Sequence, residues 1–379
     1  MNSGIIQTSW FPWLALPALL LTAPAQEIVP AGSPNKTPAE IVLVEPANLT
    51  ARQVAAWKKE GFVGVAVLLD ERFDRPTYAH VAQLVSDASL VLYFWIEVGR
   101  NPALAEAHPR WMASLGMHDD WQKKFPNFVL PKEGEVAKAF PWVPIWYQEA
   151  YDAHLKRIEQ LLKRVPPGYR GLLLNDLQGG PSSCGCGNLQ CRWATDYHVP
   201  ATGARIDGPE APARFVAAVR ERAVGKLVVP VWTTECEDED LPGSKRPDGK
   251  STGLCGTVGC AVGTCPKDFT KQWSALLSGH EGPIGLLGLH REFDRERPEY
   301  GDGPGWLNHA VAYLDQVPPQ NGGKAMGHDR LWLVVQGYDT KHEPAARRLA
   351  ATLGASTVIV ARTKLDQSFE PRLVQVKQP

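Results

Sequence analysis

The hydrophobic positions of this chain fall into short continuous runs separated by longer amphipathic segments. Short, uninterrupted apolar runs are typical of parallel strands that are covered on both faces. Eight such runs follow one another along the chain, which predicts one large parallel sheet. The predicted strands are Ile41–Glu45, Gly64–Asp70, Leu90–Glu97, Gly171–Asp176, Lys226–Glu235, Ile284–His290, Leu331–Gln336 and Thr357–Arg362.

Helical patterns lie between most of these runs, with apolar residues recurring every three or four positions. Because each connection is long enough for a crossover helix, the strands are predicted to run parallel. Eight strand–helix units favour a closed (β/α)8 TIM-like barrel over an open sheet. No helix of barrel length follows the eighth strand, which leaves closure open. The predicted helices are Thr50–Glu60, Tyr78–Ala88, Ile145–Val165, Pro212–Val224, Phe269–Leu277, Trp306–Val317 and Pro344–Leu353.

Three long insertions interrupt this regular alternation. They span Gly99–Phe140, Leu177–Pro209 and Cys236–Pro266, after the third, fourth and fifth predicted strands. In TIM barrels the loops that follow the strands build the active site. The sequence therefore predicts a single barrel with long loops after strands 3, 4 and 5, which form a deep cleft at one end.

The first residues have the pattern of a targeting signal. Trp10–Leu21 is apolar but too short and too rich in proline to span a bilayer, and Ala23-Pro24-Ala25 resembles a cleavage site. We therefore predict a signal peptide at residues 1–25, a proline-rich linker at 26–39 and one (β/α)8 domain at 40–379. This organisation predicts a secreted or periplasmic protein.

The charge balance excludes one class of partner. The 379 residues contain 40 Lys and Arg against 41 Asp and Glu, for a net charge of -1. This chain lacks the large basic field that gives most nucleic-acid-binding proteins their affinity. We therefore expect no nucleic-acid partner, and no membrane contact beyond the signal peptide.

Acidic residues recur at the carboxyl ends of the predicted strands. Because alternate residues of a strand share one face, Tyr93 and Trp95 lead to Glu97, and Leu172 and Leu174 lead to Asp176. The same alternation gives inward-facing residues at other strand ends, where TIM-barrel enzymes place their chemistry. These residues are Glu45, Asp70, Glu235, His290, Glu292, Gln336 and Arg362.

Two kinds of chemistry use such a ring of carboxyl groups. In glycoside hydrolysis one carboxylic acid protonates the leaving oxygen while a second carboxylate activates water or attacks the sugar. Alternatively, several carboxylates hold a divalent cation that supports isomerase or phosphoesterase chemistry. The chain has thirteen Trp, and Trp95 and Trp232 lie close to strand exits, where indole rings stack on sugars. This favours a carbohydrate substrate.

A series of short motifs runs from His108-Pro109-x-Trp111 through Pro141-Trp142 to the strand that ends in Asn175-Asp176. This series resembles secreted bacterial glycoside hydrolase-like barrels. Asn175-Asp176 is similar to the Asn-Glu pair that ends strand 4 in the large clan of retaining glycosidases, which implies that Asp176 is the acid/base. That clan has a nucleophilic Glu at the end of strand 7, where this chain has Gln336-Gly337-Tyr338-Asp339, so the nucleophile is not carried over.

All seven cysteines lie within one part of the chain, residues 184–265. In a secreted protein they predict disulfides that join the loops after strands 4 and 5, although an odd number leaves one thiol over. The Cys-x-Cys-x4-Cys run also resembles the zinc-binding cysteines of the β-galactosidases of glycoside hydrolase family forty-two. That resemblance implies a possible structural zinc on Cys184, Cys186, Cys191 and Cys236. No other cofactor is expected.

The sequence as a whole predicts a glycoside hydrolase-like enzyme acting on a poly- or oligosaccharide. Asp176 is the predicted general acid and Glu235 the base or nucleophile, separated by about 5–5.5 Å for retention or about 6.5–9.5 Å for inversion. Two alternatives remain: a carbohydrate-binding barrel without catalysis and a divalent-metal-dependent barrel enzyme. The predicted substrate contacts are Trp95, Glu97, Asn175, Trp232, His290, Arg291, Glu292, Gln336, Tyr338 and Arg362.

Overall fold

The computed structural model describes a strand-rich core with helices around it. It covers residues 37–115, 126–177, 193–194, 206, 210–233, 274–288, 311, 327–338, 343–365 and 369–375. The predicted signal peptide and most of the linker lie outside these residues. No helix in the described ranges is long and apolar enough to cross a bilayer. The strands are β1 (Ala39–Val44), β2 (Gly64–Leu68), β3 (Val91–Glu97), β4 (Ser114–Leu115), β5 (Glu135–Phe140), β6 (Gly171–Asn175), β7 (Trp193–Ala194), β8 (Leu227–Thr233), β9 (Ile284–Gly288), β10 (Leu331–Gln336), β11 (Thr357–Ala361) and β12 (Glu370–Gln375).

Eight of these strands form a closed parallel barrel, as the sequence predicts. The order around the barrel is β1, β11, β10, β9, β8, β6, β3 and β2. β1 pairs with β2 on one side and with β11 on the other, where Ala39 aligns with Thr357 and Leu43 with Ala361. Closure therefore does not require a helix after the eighth barrel strand, and the predicted (β/α)8-type barrel is confirmed.

The helices alternate with the barrel strands, and their ends follow local sequence signals. The Thr50 side chain accepts a hydrogen bond from the Gln53 backbone N–H, and Gln53 completes the capping box at the start of the first helix. Residues 274–279 are also helical and overlap the predicted helix Phe269–Leu277, whereas only residue 311 of Trp306–Val317 is described. The helices are α1 (Ala51–Glu60), α2 (Arg75–Asp87), α3 (Pro102–Ala107), α4 (Gln148–Leu162), α5 (Ala211–Arg222) and α6 (Glu343–Thr352).

Two hydrophobic clusters divide the side chains of the barrel strands. The inner cluster includes residues from all eight strands, among them Leu43, Trp95 and Leu173, which can meet only inside the barrel. The outer cluster includes Phe94 and Leu174 together with residues of the surrounding helices. Membership of a cluster therefore shows which face each strand residue occupies.

The first insertion is not the simple loop that the sequence predicts. It contains α3, β4 and β5, and β5 pairs in antiparallel register with β12 from the C-terminal end of the chain, so that Phe140 aligns with Glu370. β4 joins β5 to β7, which gives a four-stranded sheet in the order β12, β5, β4, β7. Lys138 of β5 is buried, and its Nζ donates to Met112 O and Ser114 Oγ. The sheet thus belongs to the ordered scaffold beside the barrel.

Removing β12 is expected to loosen the first insertion without unfolding the barrel. Val374 of β12 packs in a cluster with Met112, Val143 and Tyr147, and a chain that ends at Leu365 loses both this contact and the hydrogen bonds to β5. We expect faster amide hydrogen exchange in β5, with protection retained in β1 and β11. Unchanged exchange in β5 would contradict this role for β12.

Candidate active site

Glu97 lies at the carboxyl end of β3 and is held by two side-chain donors. Trp95 Nε1 donates to Glu97 Oε1 at 2.8 Å, and Asn175 Nδ2 donates to Glu97 Oε2 at 2.8 Å. Asn175 is the register partner of Glu97 on the neighbouring strand β6. Because Trp95 and Asn175 are fully buried and Glu97 is partly exposed, the carboxylate is fixed in orientation where it can still be reached from outside.

Asp176 follows directly after β6 and lies beside Glu97. Its φ is +59°, in the left-handed region, so it leaves the strand and its direction no longer follows the alternation. The side chain is fully buried, and neither oxygen accepts a hydrogen bond from an N–H or O–H donor of the described chain. A buried carboxylate without donors is costly, which favours a protonated Asp176.

Two causes raise the pKa of the Asp176 carboxyl well above its ordinary value. Burial contributes most because it removes the water that would stabilise the charge, and the adjacent negative charge of Glu97 adds to it. A hydrogen bond between the two carboxyls stabilises the protonated form further, whereas the charge of Arg100 lowers the pKa. Asp176 is therefore the member of this carboxyl pair that favours the protonated form.

Gln336 occupies the opposite side of the barrel mouth. β3 and β10 lie opposite each other in the barrel, and Tyr93 and Trp332 meet across its interior with ring centroids 5.7 Å apart. Glu97 lies four residues after Tyr93 and Gln336 four residues after Trp332, so each is roughly 13 Å closer to the mouth than that aromatic residue. Gln336 is buried, and its Oε1 has no hydrogen-bond partner in the described residues. Tyr338 follows it and is partly exposed.

The inner face of β6 differs from the prediction. Leu172 and Leu174 belong to the outer cluster, whereas Leu173 belongs to the inner one, so Asn175 rather than Asp176 is the last inward residue of the strand. On β9, Leu287 lies in the inner cluster. The sequence analysis had instead assigned the inner face to Gly288 and the residues that alternate with it, up to His290. Asp176 reaches Glu97 through the left-handed turn that ends the strand.

Trp95 and Arg362 do not have the surroundings that substrate contacts would need. Trp95 is fully buried inside the barrel, so it offers no ring face to a sugar and instead positions Glu97. Arg362 has the parity of Val360 in the outer cluster and pairs with Glu343 and Glu60, at 2.8 Å each. Trp95 thus positions Glu97 and Arg362 binds two carboxylates, and a direct contact of either residue with a sugar stays a prediction.

The predicted carboxylates of the first two strands are paired with an arginine. Arg72 Nη2 lies 2.5 Å from Asp70 Oδ2 and 3.4 Å from Glu45 Oε1. These two residues thus form a separate ion-pair group, and the described ring of acids reduces to the Glu97–Asp176 pair.

Several predicted site residues lie outside the described residues or lack a described side chain. Trp232 lies in β8, but only its backbone is described. The roles of these residues, the disulfides and the structural zinc therefore stay predictions. Within the described ranges, no three His, Cys, Asp or Glu side chains come close enough together to hold a metal ion. The residues outside are Glu235, His290, Arg291, Glu292 and the cysteines Cys184, Cys186, Cys191, Cys236, Cys255, Cys260 and Cys265.

Two arginines near the carboxyl pair were missed by the sequence analysis. Arg157 of α4 donates from Nη1 to the backbone oxygen of Glu97 at 2.8 Å and pairs with Glu71. The charge of Arg100 acts on Asp176, and the backbone of Arg100 forms an isolated antiparallel β-bridge with Trp142. In the sequence, the Pro141-Trp142 motif was the one feature that pointed to this region, and it did not identify Arg100.

Known protein structures resemble this chain only with low TM-scores. No protein-family model and no curated protein matches this chain. The α-subunit of tryptophan synthase from the hyperthermophile Pyrococcus furiosus is 10% identical, with 86% of each chain covered and a TM-score of 0.34. D-psicose 3-epimerase, solved in the presence of D-fructose, is 10% identical over 86% of each chain, with a TM-score of 0.33. These scores support no functional argument, and the barrel assignment depends on the strand pairing.

Proposed function

We propose that this TIM barrel is a glycoside hydrolase-like enzyme in which the Glu97–Asp176 pair stores and transfers the catalytic proton. One observation supports the proposal most directly. A fully buried Asp176 without an N–H or O–H donor in the described chain lies beside a partly exposed, oriented Glu97. The pair is at the carboxyl end of the barrel strands, where TIM-barrel enzymes perform their chemistry.

The two carboxyls have different roles in this proposal. Glu97 accepts hydrogen bonds from Trp95 and Asn175, whereas Asp176 accepts none from the described chain, so the shared proton resides on Asp176. Glu97 is the group that reaches the substrate, because Asp176 is fully buried. Asp176 passes its proton to Glu97, and Glu97 protonates the leaving oxygen as the bond from the sugar carbon to that oxygen breaks.

A second carboxylate has to act on the sugar carbon or on water. The pair itself is too close for both roles, since the two carboxyls of glycosidases lie about 5–9.5 Å apart. Glu235, the predicted base or nucleophile, remains the proposed partner of the pair. The proposed location outside the cytoplasm depends on the predicted signal peptide at residues 1–25.

A hydrolysis screen tests the proposal. The protein is incubated with a panel of neutral, amino and acidic polysaccharides, and the release of reducing ends is measured. We expect release from at least one of them, with loss of release in Asp176→Asn. Asp152→Asn, on the exposed side of α4, is the matched control because it makes the same chemical change at an exposed residue. Release that is equal in Asp176→Asn would contradict the proposal.

A carbohydrate-binding barrel without catalysis is the second candidate. It is favoured by Gln336 at the end of β10, because the retaining-glycosidase clan that the fourth predicted strand resembles has its acidic nucleophile at the end of the corresponding strand. Binding of a polysaccharide without release of reducing ends, unchanged in Asp176→Asn, would favour this candidate.

Trp95→Phe is expected to reduce turnover while the barrel stays folded. Phenylalanine retains a buried aromatic ring but cannot donate to Glu97 Oε1, so Glu97 loses one of its two positioning bonds. We expect kcat to fall by about tenfold, which corresponds to about 1.4 kcal/mol, with a smaller change in KM. A purely structural role would instead lower thermal stability and leave the kcat of the folded fraction unchanged.

A further inference from the structure

Two buried acceptor atoms at the mouth have no donor among the described residues. Asn175 Oδ1 and Gln336 Oε1 are buried, and neither receives a hydrogen bond from the described residues. The orientation of Asn175 is fixed because its Nδ2 donates to Glu97 Oε2, so its free atom is the oxygen. Leaving such an acceptor without a donor costs about 1–3 kcal/mol. A bound molecule that donates hydrogen bonds would relieve this cost.

The positive charges near this mouth are already engaged. Arg72 pairs with Asp70 and Glu45, and Arg362 pairs with Glu343 and Glu60. Arg157 bonds to Glu71 and to the backbone oxygen of Glu97, and the charge of Arg100 acts on Asp176. An anionic substituent would therefore meet the negative charge of Glu97 and these acceptor oxygens, whereas the nearby arginines already act on carboxyl groups or a backbone oxygen of the chain.

We infer that the mouth between Glu97, Asn175 and Gln336 binds a sugar ring that donates hydrogen bonds and has no negative charge, such as a neutral or amino sugar, and that it rejects uronic acids. This inference deepens the proposed function and rests on it. Hydroxyl and ammonium groups supply the donors that Asn175 Oδ1 and Gln336 Oε1 lack, whereas a carboxylate supplies none. It also replaces the sequence-based expectation that Arg362 would help to bind an acidic sugar.

The test compares three oligosaccharides on the full chain. Calorimetry measures the binding of a neutral gluco-oligosaccharide, a chitosan oligosaccharide and an oligogalacturonate, and reducing-end release is followed in parallel. We expect binding of the neutral or the chitosan oligomer, at least tenfold tighter than that of the oligogalacturonate. Gln336→Glu should increase the preference for the chitosan oligomer, and Gln160→Glu, on the exposed side of α4, should not.

The outcomes separate this inference from the proposed function. Tighter binding or faster hydrolysis of the oligogalacturonate would overturn the inference, and the proposed function would stand if that hydrolysis is lost in Asp176→Asn. Selective binding of the uncharged or amino oligomer without hydrolysis would support the inference and overturn the enzymatic function. Absence of binding to all three would overturn the inference, and the polysaccharide screen would then decide the function. A preference that shifts equally in Gln160→Glu would contradict the assigned role of Gln336.

Discussion

Asp176→Asn is expected to make the protein more stable at neutral pH while it removes the proposed activity. Asp176 is fully buried beside Glu97, and its pKa is raised well above the ordinary value by burial and by that neighbouring charge. Asparagine is neutral at every pH and can donate to Glu97 from its amide. The substitution therefore removes an electrostatic cost that the native site retains for its chemistry.

The direction of the pH dependence follows from proton linkage. Between the unfolded pKa of 3.8 and the higher folded pKa, the folded state binds more protons at Asp176 than the unfolded state does. The stability that this group contributes is therefore fully present below the unfolded pKa and is lost as the pH rises through the folded pKa. Each tenfold difference in proton affinity between the two states corresponds to about 1.4 kcal/mol. The advantage of Asp176→Asn should be smallest near pH 4 and grow towards neutral pH.

Chemical denaturation of both proteins between about pH 4 and pH 8 measures this difference. Asp152→Asn is the matched control, because Asp152 is exposed on α4 and its substitution should give no pH-dependent gain. A stability difference for Asp176→Asn that is constant across this range would show that Asp176 does not take up a proton on folding.

Glu97→Gln is expected to cause the largest loss of activity. The amide can neither take the proton from Asp176 nor pass it to a leaving group, and its NH₂ would face the Nδ2 donor of Asn175. We expect kcat to fall by about 10²- to 10⁴-fold, the range for removal of a general acid or base, with KM changed much less. Kinetics on a substrate identified by the polysaccharide screen measures both values.

Glu149→Gln, on the exposed side of α4, is the control for this substitution. It should retain full activity, and both proteins should show the far-ultraviolet circular dichroism of the folded chain. If Glu97→Gln kept more than about a tenth of the activity, Glu97 would not be the proton-transferring group.

The barrel could be predicted from the sequence because its signals are local. Each barrel strand is a short apolar run between amphipathic helices, and all eight predicted runs overlap observed strands. The sheet beside the barrel had no comparable signal. β12 pairs with β5 from the far end of the chain, with Gln375 opposite Glu135, and short partly exposed strands resemble loops in their composition.

The site could be predicted only in part, for a related reason. Tyr93 and Trp95 identified the inner face of β3 and therefore placed Glu97 correctly at the mouth. In β6 the run Leu172 to Leu174 is apolar at every position, so no polar residue marks which face is inside. The sequence analysis therefore assigned Asp176 to the inner face of the strand, whereas the last inward residue is Asn175. Only the left-handed φ of Asp176, which depends on the tertiary structure, brings that carboxyl to Glu97.

The central claim is that Glu97 and Asp176 share one proton at the barrel mouth, and a carboxyl titration tests it most directly. The protein is labelled with ¹³C at the aspartate side-chain carboxyls, and their chemical shifts are followed by NMR from about pH 3 to pH 8. We predict one aspartate resonance that is still protonated well above pH 4 and that is missing in Asp176→Asn. Ionisation of every aspartate by about pH 5 would contradict the shared proton and, with it, the proposed mechanism.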